Sequence, residues 1–365
     1  MVEPGPEFRP PHCPRPSCRY HQNPRGWRFK RDGHHHRRCH PAPVQRYRCL
    51  HCRRSFSSQT FSTTYWLKRP DLLERVLQFL LCCGGFRQAA RMLGVSPATP
   101  ALHAERLGRH MLLFAEQHRP RTIPSEPLVV DGFESFAFSQ FWPTHLNLVV
   151  GARSHFVYAT TVAELRRKGR MTEGQKKRRE RLEKTYGRPD PKAIEKGVAE
   201  ALRLAVPRGA RAVVRSDEHP AYPRALRRVS DRELTQETTS SRVSRTPRNP
   251  LFAVNLLDLL LRHSGSNHKR ETIAFSKRAQ SMLWREALFR VWRNWVKHVS
   301  ERARKDTPAM RLRLADRPLR WGEILRQRIF VTRTRLRAPL DTYYWGRVPT
   351  RQIPRAREHR RVFAF

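Results

Sequence analysis

Acidic side chains are scarce in this chain. Its 365 residues hold 31 Asp and Glu against 74 Lys and Arg, a formal net charge of +43. The basic excess runs along most of the sequence and is not packed into one tail. A globular protein this poor in negative charge works against a polyanion, because each phosphate it neutralises releases a counterion. Charge alone leaves RNA, DNA and an anionic membrane surface open. Long apolar runs are lacking too: none reaches the ~18 residues a spanning helix needs. A signal-peptide pattern is also missing, since the opening MVEPGPEFRPPHCPRP is polar and proline-rich. The expectation is therefore a soluble, cytoplasmic protein with no membrane partner. There is no internal repeat, and the length is enough for two or more domains with a substantial core. Cysteine is sparse and odd in number, seven in all. That argues against a disulfide framework in a large intracellular chain.

Those cysteines are unevenly placed: five of the seven fall within the first 52 residues. Cys49 and Cys52 form a C-x2-C knuckle, and Cys13 with Cys18 a looser partner. Zn²⁺ favours four soft ligands in a tetrahedron, and two short cysteine turns supply them without a large core. Between the pairs lies GHHHRRCH, residues 33–40, where Cys39 or His40 could replace Cys13 or Cys18. The bland alternative is a set of free thiols in a disordered basic arm. Tyr47 and Phe56 flank the second knuckle and are expected to give it apolar support. Residues 1–66 thus read as a zinc ribbon.

Residues 67–120 read as a helix-turn-helix. Leu72, Leu73, Val76, Leu77, Leu80 and Leu81 recur at helical spacing until Gly84-Gly85 stops them. In FRQAARMLGVSPATPALHAERLGRHM, Ala90 takes the close-packing position, Gly94 the turn, Val95 the core and Ser96 the cap of the next helix. That next helix would enter a major groove, with Arg87, Arg91 and Arg106 as DNA contacts. A plain helical hairpin is the competing reading. Cys82 and Cys83 are expected to be ordinary core residues.

From about residue 127 the pattern changes to strands: PLVVDGFESFAF, THLNLVVGA and HFVYATTVAE. A basic insertion, 165–206, follows; it is partly helical and ends in an amphipathic helix from 191. ARAVVRSDEHPAY is a short buried strand ending in an acid, and TQETTSSRVSRTPR, 235–248, reads as a linker or mobile loop. Asp131 closes the strand LVVD and Asp217 the strand AVVRSD. Acids just past the carboxyl ends of strands are where α/β folds place reactive groups. Two of them, separated by a three-stranded meander and a helix, match the strand order of a ribonuclease H-like fold. In that fold the first and fourth strands are neighbours.

The stretch NPLFAVNLLDLLLRHSG, 249–265, is apolar yet carries Asn255, Asp258 and Arg262 on one helical stripe. Asn249 is expected to cap this helix, with Pro250 in its first turn. Polar groups deep in such a helix need partners. A magnesium site would supply them, with Asp131 and Asp217 bridging divalent ions and Asp258 or Asn255 closing the cage. An internal Asp258–Arg262 ion pair is the alternative. Two such ions can activate an attacking oxygen and stabilise the leaving one in phosphodiester displacement.

Read together, the chain resembles the DDE transposases of bacterial insertion sequences that begin with a zinc ribbon, the insertion-sequence-one type and its relatives. The resemblance covers roughly residues 13–280 and rests on YRCLHCRRSF, the helix-turn-helix, VVDGFESF, RSDEHPAY and NHKRETIAFSKR. It implies Asp131 as first carboxylate and Asp217 as second. At the third position Asn255 stands where that family carries glutamate. Related families have Asn followed three residues later by Glu, which matches Asn255 with Asp258, so either residue remains a candidate. His268, Lys269, Arg270, Lys277 and Arg278 would hold the DNA backbone. Glu134 and Glu218 lie beside the acids. The implied fold is an α/β ribonuclease H-like catalytic domain, 121–280, preceded by the zinc ribbon and helix-turn-helix. The implied activity is metal-dependent cleavage and strand transfer at element ends. Zn²⁺ would be structural and Mg²⁺ or Mn²⁺ catalytic, in a homo-oligomer on double-stranded DNA. The alternative is a DNA-binding regulator without catalysis. Residues 281–365 match no motif; they read as a basic helical region with Trp284, Trp292 and Trp295 as core or dimer contacts.

Overall fold

A computed structural model describes residues 8–40, 42–353, 355 and 358–360. Its contacts divide the chain into two units: the described residues through Arg75 with Arg320–Leu336, and Val76–Leu319 with Arg337–His359.

In the first unit a short helix α1 (Arg19–Gln22) precedes an antiparallel sheet of β1 (Phe29–His35), β2 (Val44–Cys49) and β3 (Ser55–Ser57), in that order. Strand β2 buries Val44, Tyr47 and Cys49; Tyr47 and Cys49 share one face at period two, with Val44 on the other, and only Arg46 is fully exposed. Tyr47 stacks on Phe56 at 5.6 Å between ring centres. The apolar support is wider than those two residues: Phe61 and the distant Phe330 close the same cluster around Cys13, Cys18 and Cys49. No local pattern ties Phe330 to a knuckle three hundred residues upstream.

The second unit holds α2 (Leu72–Leu81) for the most part, then α3 (Phe86–Leu93) and α4 (Ala98–Gln117). Gly94 turns the chain between α3 and α4 with φ +61°, where glycine carries no Cβ penalty. Ala90 is buried there, as close packing requires, while Val95 is only half-buried. Cys82 is exposed and Cys83 half-buried, so the expected core role is corrected. Helix α2 stops at Leu81, and Cys83 takes a left-handed φ of 60° in the turn that follows.

Next come β4 (Leu128–Phe136), β5 (Pro143–Gly151), β6 (Val157–Glu164), α5 (Glu173–Tyr186), α6 (Ala193–Ala205), β7 (Arg211–Ser216), α7 (Ala221–Arg227) and β8 (Glu233–Thr238). The sheet order is β6-β5-β4-β7-β8, with β4–β5 and β5–β6 antiparallel and β4–β7 and β7–β8 parallel. This mixed α/β arrangement with the first and fourth strands adjacent is compatible with a ribonuclease H-like fold. The segment read as a linker from 235 starts inside β8, whose residues pair with β7 through Thr238. Helix α6 packs on β5 and β6, and α8 (Phe252–Ser264) on β4 and β5. Val254, Leu257 and Leu261 of α8 join Val129, Phe133, Leu146 and Leu148 in one cluster. Leu259 on the opposite side is 66% exposed, so α8 is amphipathic rather than buried all round. The basic helix α5 has no residue buried as a whole, though the Glu183 side chain is largely covered. Its Glu183 accepts two bonds from Arg166, at 2.6 and 3.1 Å.

Helix α9 (Ala279–Val291), followed by a π-helical turn Trp292–Val296, is central to the second unit and buries Trp284 and Trp295. After that turn the chain runs mostly as turns and loops with short helices at Pro308–Arg311, Trp321–Ile324 and Leu340–Tyr344. The expected helical C-terminal region is therefore helical mainly at its start. Gly108 lets α4 meet α9: a Cβ there would lie 2.4 Å from Trp284 Cβ and 2.7 Å from its Cα. Backbone cannot yield so far, so Gly108→Ala is expected to destabilise by about 1–3 kcal/mol. Urea unfolding would read this as a lower midpoint at unchanged slope. Among the described residues no helix is long and apolar enough to cross a membrane.

Candidate functional site

Two groups of side chains stand out, one of thiols and one of acids. The first is the four-thiol cluster: Cys13, Cys18, Cys49 and Cys52 have all their sulfurs within 4.8 Å of one another. The knuckle Cys49–Cys52 closes because Arg53 adopts a left-handed φ of 60° and returns its N–H to Cys49 O at 3.0 Å. Burial pushes the Cys13 and Cys18 thiols up. Burial acts on Cys49 as well, but N–H groups of Cys52 and Trp27 outweigh it and bring that thiol to about 7. The Trp27 indole donates to Cys49 Sγ at 3.3 Å. Crowded, buried thiols of this kind become thiolates together only around a cation, and the set fits zinc. Cys39 and His40 lie elsewhere: Cys39 Sγ contacts Leu67 O at 3.5 Å, and His40 pairs with Gln59 at 2.9 Å.

The second group lies at the edge of the five-stranded sheet. Strand β4 does not end at Asp131, as expected, but continues to Phe136 because β5 pairs along its whole length. Its parallel pairing with β7 covers only Leu128↔Val214 and Val129↔Arg215. Beyond that point the two strands part, and Asp131 and Asp217 flank the opening. Asp131 Oδ1 accepts from Gly132 N at 2.7 Å and from the Tyr222 hydroxyl at 3.2 Å. Asp217 Oδ1 accepts from His219 N at 2.9 Å. Asp258 comes from α8, which packs on β4.

The three acids share one electrostatic field. Burial raises Asp131 above the usual carboxylate range and the Asp217 charge adds to this; Gly132 N–H, Tyr222 and Arg245 oppose it. Burial, then the Asp131 charge, pushes Asp258 up to about 8 against the pull of Arg262 and Arg245. Burial followed by the charges of Asp131, Asp217 and Asp258 raises the Tyr222 phenol. Among the described residues the carboxylates do not form a closed ligand cage like the thiols. The internal ion pair with Arg262 does not form either. Arg262 instead donates to His268 O at 3.0 Å and lies 4.5 Å from the Phe133 ring centre. Asp258 Oδ1 is left buried without a hydrogen-bond partner. A buried carboxylate oxygen with no donor is costly, and an oxygen-seeking divalent cation is a partner of the right chemistry.

Asn255 is half-buried one turn before Asp258, and Asn249 does not cap α8 in the expected way. Its Oδ1 accepts from Leu251 N at 2.8 Å, just ahead of the helix. Glu134 and Glu218 are exposed, and Glu218 accepts from Ser241 N at 3.2 Å.

Arg87 and Arg91 are exposed on α3, as are Lys269, Arg270 and Lys277 after α8. Burial, then the charge of Arg87, lowers the Lys277 ammonium, so these two expected DNA contacts lie in one patch. Arg278 donates to Arg355 O at 2.6 Å, and Arg106 is half-buried on α4. From Leu107 to Glu116 helix α4 is buried, which leaves only its first turns for a groove. His268 is corrected: it is buried, bonded to Ser135 Oγ at 3.1 Å, and lowered to about 3 by burial and then by Arg285 and Arg262. A neutral, enclosed imidazole holds no phosphate.

Sequence reasoning passed over two residues beside the acids, Tyr222 and Arg245. Tyr222 stood in the quoted stretch RSDEHPAY, five residues past Asp217, at the spacing that returns a helix over the strand end. Arg245 lay in a stretch whose Ser and Thr content suggested only slack chain.

No family model matches this chain, and no curated protein matches it. Among solved structures, it is similar to the cryo-EM structure of a simian T-cell lymphotropic virus intasome in complex with PP2A regulatory subunit B56 gamma. The identity is 16% and the TM-score 0.25, over 65% of this chain and 70% of that chain.

Proposed function

We propose that this protein is a DNA transposase that cleaves and joins strands at the ends of an insertion element. The observation that carries the reading is the convergence of Asp131, Asp217 and Asp258 on one field, with Asp258 Oδ1 buried and unpartnered. Asp258 is the third ligand in this reading, since it senses Asp131, and Asn255 is its neighbour. Mg²⁺ or Mn²⁺ bound there supplies electrophilic stabilisation to a phosphodiester under attack. The protein's part is to fix the carboxylates: Gly132 N–H and Tyr222 orient Asp131, His219 N–H orients Asp217, and α8 delivers Asp258. Arg87, Arg91, Arg106, Lys269, Arg270, Lys277 and Arg278 would hold double-stranded DNA, and zinc would hold the four-cysteine module that helps to read the ends. Two copies of the chain, one per end, are the expected assembly.

A DNA-binding regulator without catalysis is favoured by one observation, the open spacing of the carboxylates relative to the thiols. Nicking of a supercoiled plasmid that carries the element's ends separates the two. Nicking in Mg²⁺ or Mn²⁺ but not in EDTA supports the transposase; tight binding with no nicking in either metal overturns it.

The acid site also has a signature in stability. The ordinary carboxyl value is 3.8, and in the folded protein Asp258 keeps its proton to about 8. Between those values the folded state binds more protons than the unfolded one. Metal-free stability from this group is therefore full at low pH and is lost as pH rises toward about 8. A cation must displace that proton, so its stabilisation grows over the same window. At a hundredfold excess over Kd the gain is about 2.7 kcal/mol. Thermal unfolding with and without Mn²⁺ at stepped pH should show the shift widening up to about 8 in wild type and shrinking sharply in Asp258→Asn. A shift independent of pH and of Asp258 would remove the cation from this cleft.

A further inference from the structure

Between β8 and α8 the chain forms a loop, Ser240–Arg248, that is ordered by its own bonds. At its start Ser240 Oγ and Ser241 N donate to Glu218 Oε2, at 3.3 and 3.2 Å. Glu218 directly follows Asp217. At its end the buried Asn249 donates from Nδ2 to the carbonyls of Val243 and Ser244, at 3.2 and 3.0 Å, and leads into the helix that carries Asp258. Turns from Val243 N to Ser240 O at 3.1 Å and Asn249 N to Thr246 O at 2.9 Å close the segment on itself. The loop is thus fastened beside the second acid and at the head of the third acid's helix.

What the loop presents is uniform. Every side chain from Ser241 to Arg248 is exposed, and the segment SSRVSRTPRN contains no acid. Arg242, Arg245 and Arg248 take no ion pair among the described residues. Arg245 stands near the middle of the segment, between the anchor on Glu218, which directly follows Asp217, and the anchor on Asn249 at the head of the Asp258 helix. An acid cleft by itself repels a phosphodiester. A guanidinium carried on a loop fastened beside that cleft offsets the repulsion and offers two parallel N–H donors to one phosphate.

We propose that the Ser240–Arg248 loop is a phosphate clamp, in which Arg245 grips the DNA phosphate at the acid cleft and Arg242 and Arg248 grip its neighbours on the strand. The inference rests on the transposase reading for its substrate, but it is testable apart from cleavage.

The test uses the full chain with Asp217→Asn, so that no strand is cut, and measures binding of a short duplex by fluorescence anisotropy at stepped salt. Adding Arg242→Ala, Arg245→Ala and Arg248→Ala should reduce the slope of log affinity against log salt by about two to three, near 0.9 per lost contact. An unchanged slope overturns the clamp. With the nicking-competent chain, Arg245→Ala should cut the rate more than it weakens binding. Arg245→Lys should restore the slope but not the rate, because an ammonium cannot make the bidentate contact. If wild type nicks while the slope is unmoved, the clamp fails and the transposase reading stands. If wild type never nicks while the slope falls, the clamp stands as a DNA contact and the catalytic reading fails. The replaced side chains are exposed, and matched thermal midpoints confirm an intact fold.

Discussion

Asp131→Asn and Asp217→Asn should each abolish metal-dependent nicking, by about 10³-fold or more, while leaving the affinity for the element's ends nearly unchanged. The size follows from what the change removes. An amide keeps the shape of the carboxylate and one acceptor oxygen, so Gly132 N–H and the Tyr222 hydroxyl retain a partner at position 131. It loses the charge that holds a hard cation, and groups acting as one unit lose nearly everything when one is removed. Asp258→Asn should fall in the same class, and Asn255→Ala should cost far less if Asp258 is the third ligand. Supercoiled-plasmid nicking in Mg²⁺ and Mn²⁺, with end binding measured in parallel, reads all four. The opposite ranking, with Asn255→Ala inactive and Asp258→Asn active, would reassign the ligand. Retained nicking in both strand-edge variants would dismiss this cleft as the reaction centre.

Removal of zinc should have the second large effect, complete loss of the first unit's tertiary structure. Its core is small, and three of the buried residues that compose it are Cys13, Cys18 and Cys49 of the four-thiol cluster that could hold the zinc. A sheet of three strands, the last only three residues long, has too little apolar area to hold without a staple. Structural zinc contributes about 10–16 kcal/mol in small modules, and there the metal's binding energy is the folding energy. Trp27 reports directly, since its indole N–H bonds Cys49 Sγ at 3.3 Å. Chelation, or Cys49→Ser, should shift its emission to the red as the ring becomes wet, and metal analysis should find one zinc per chain lost. Cys39→Ser should keep the zinc, because that thiol faces Leu67 O at 3.5 Å and not the cluster. Unchanged emission after complete chelation would remove the metal from the folding of this unit.

Much of the frame was legible in the chain. Helical spacing placed α2 to α4, and apolar runs placed β4, β5, β6 and β7, because local periodicity records which face each element buries. Short cysteine spacings marked the knuckles for the same local reason. Polar residues on the greasy stripe of α8 marked Asp258, since a costly group needs a purpose. Tertiary structure decided the rest. That Asp131 sits within a strand, at the point where β4 and β7 part, depends on how far two distant strands pair. That Phe330 completes the cysteine core, and that α9 buries Arg285 and Arg290 against backbone carbonyls, depends on contacts no local pattern encodes. The same holds for Asn249 and Glu218, which turn an apparently slack serine-rich stretch into a fastened loop. Sequence by itself pointed to most elements through α8, to four thiols with Cys39 or His40 as possible substitutes, and to Asp131 and Asp217 with Asp258 or Asn255 as a third group. Only the fold decided which charges face one another, because burial and long-range proximity, not spacing, set the field at each carboxylate.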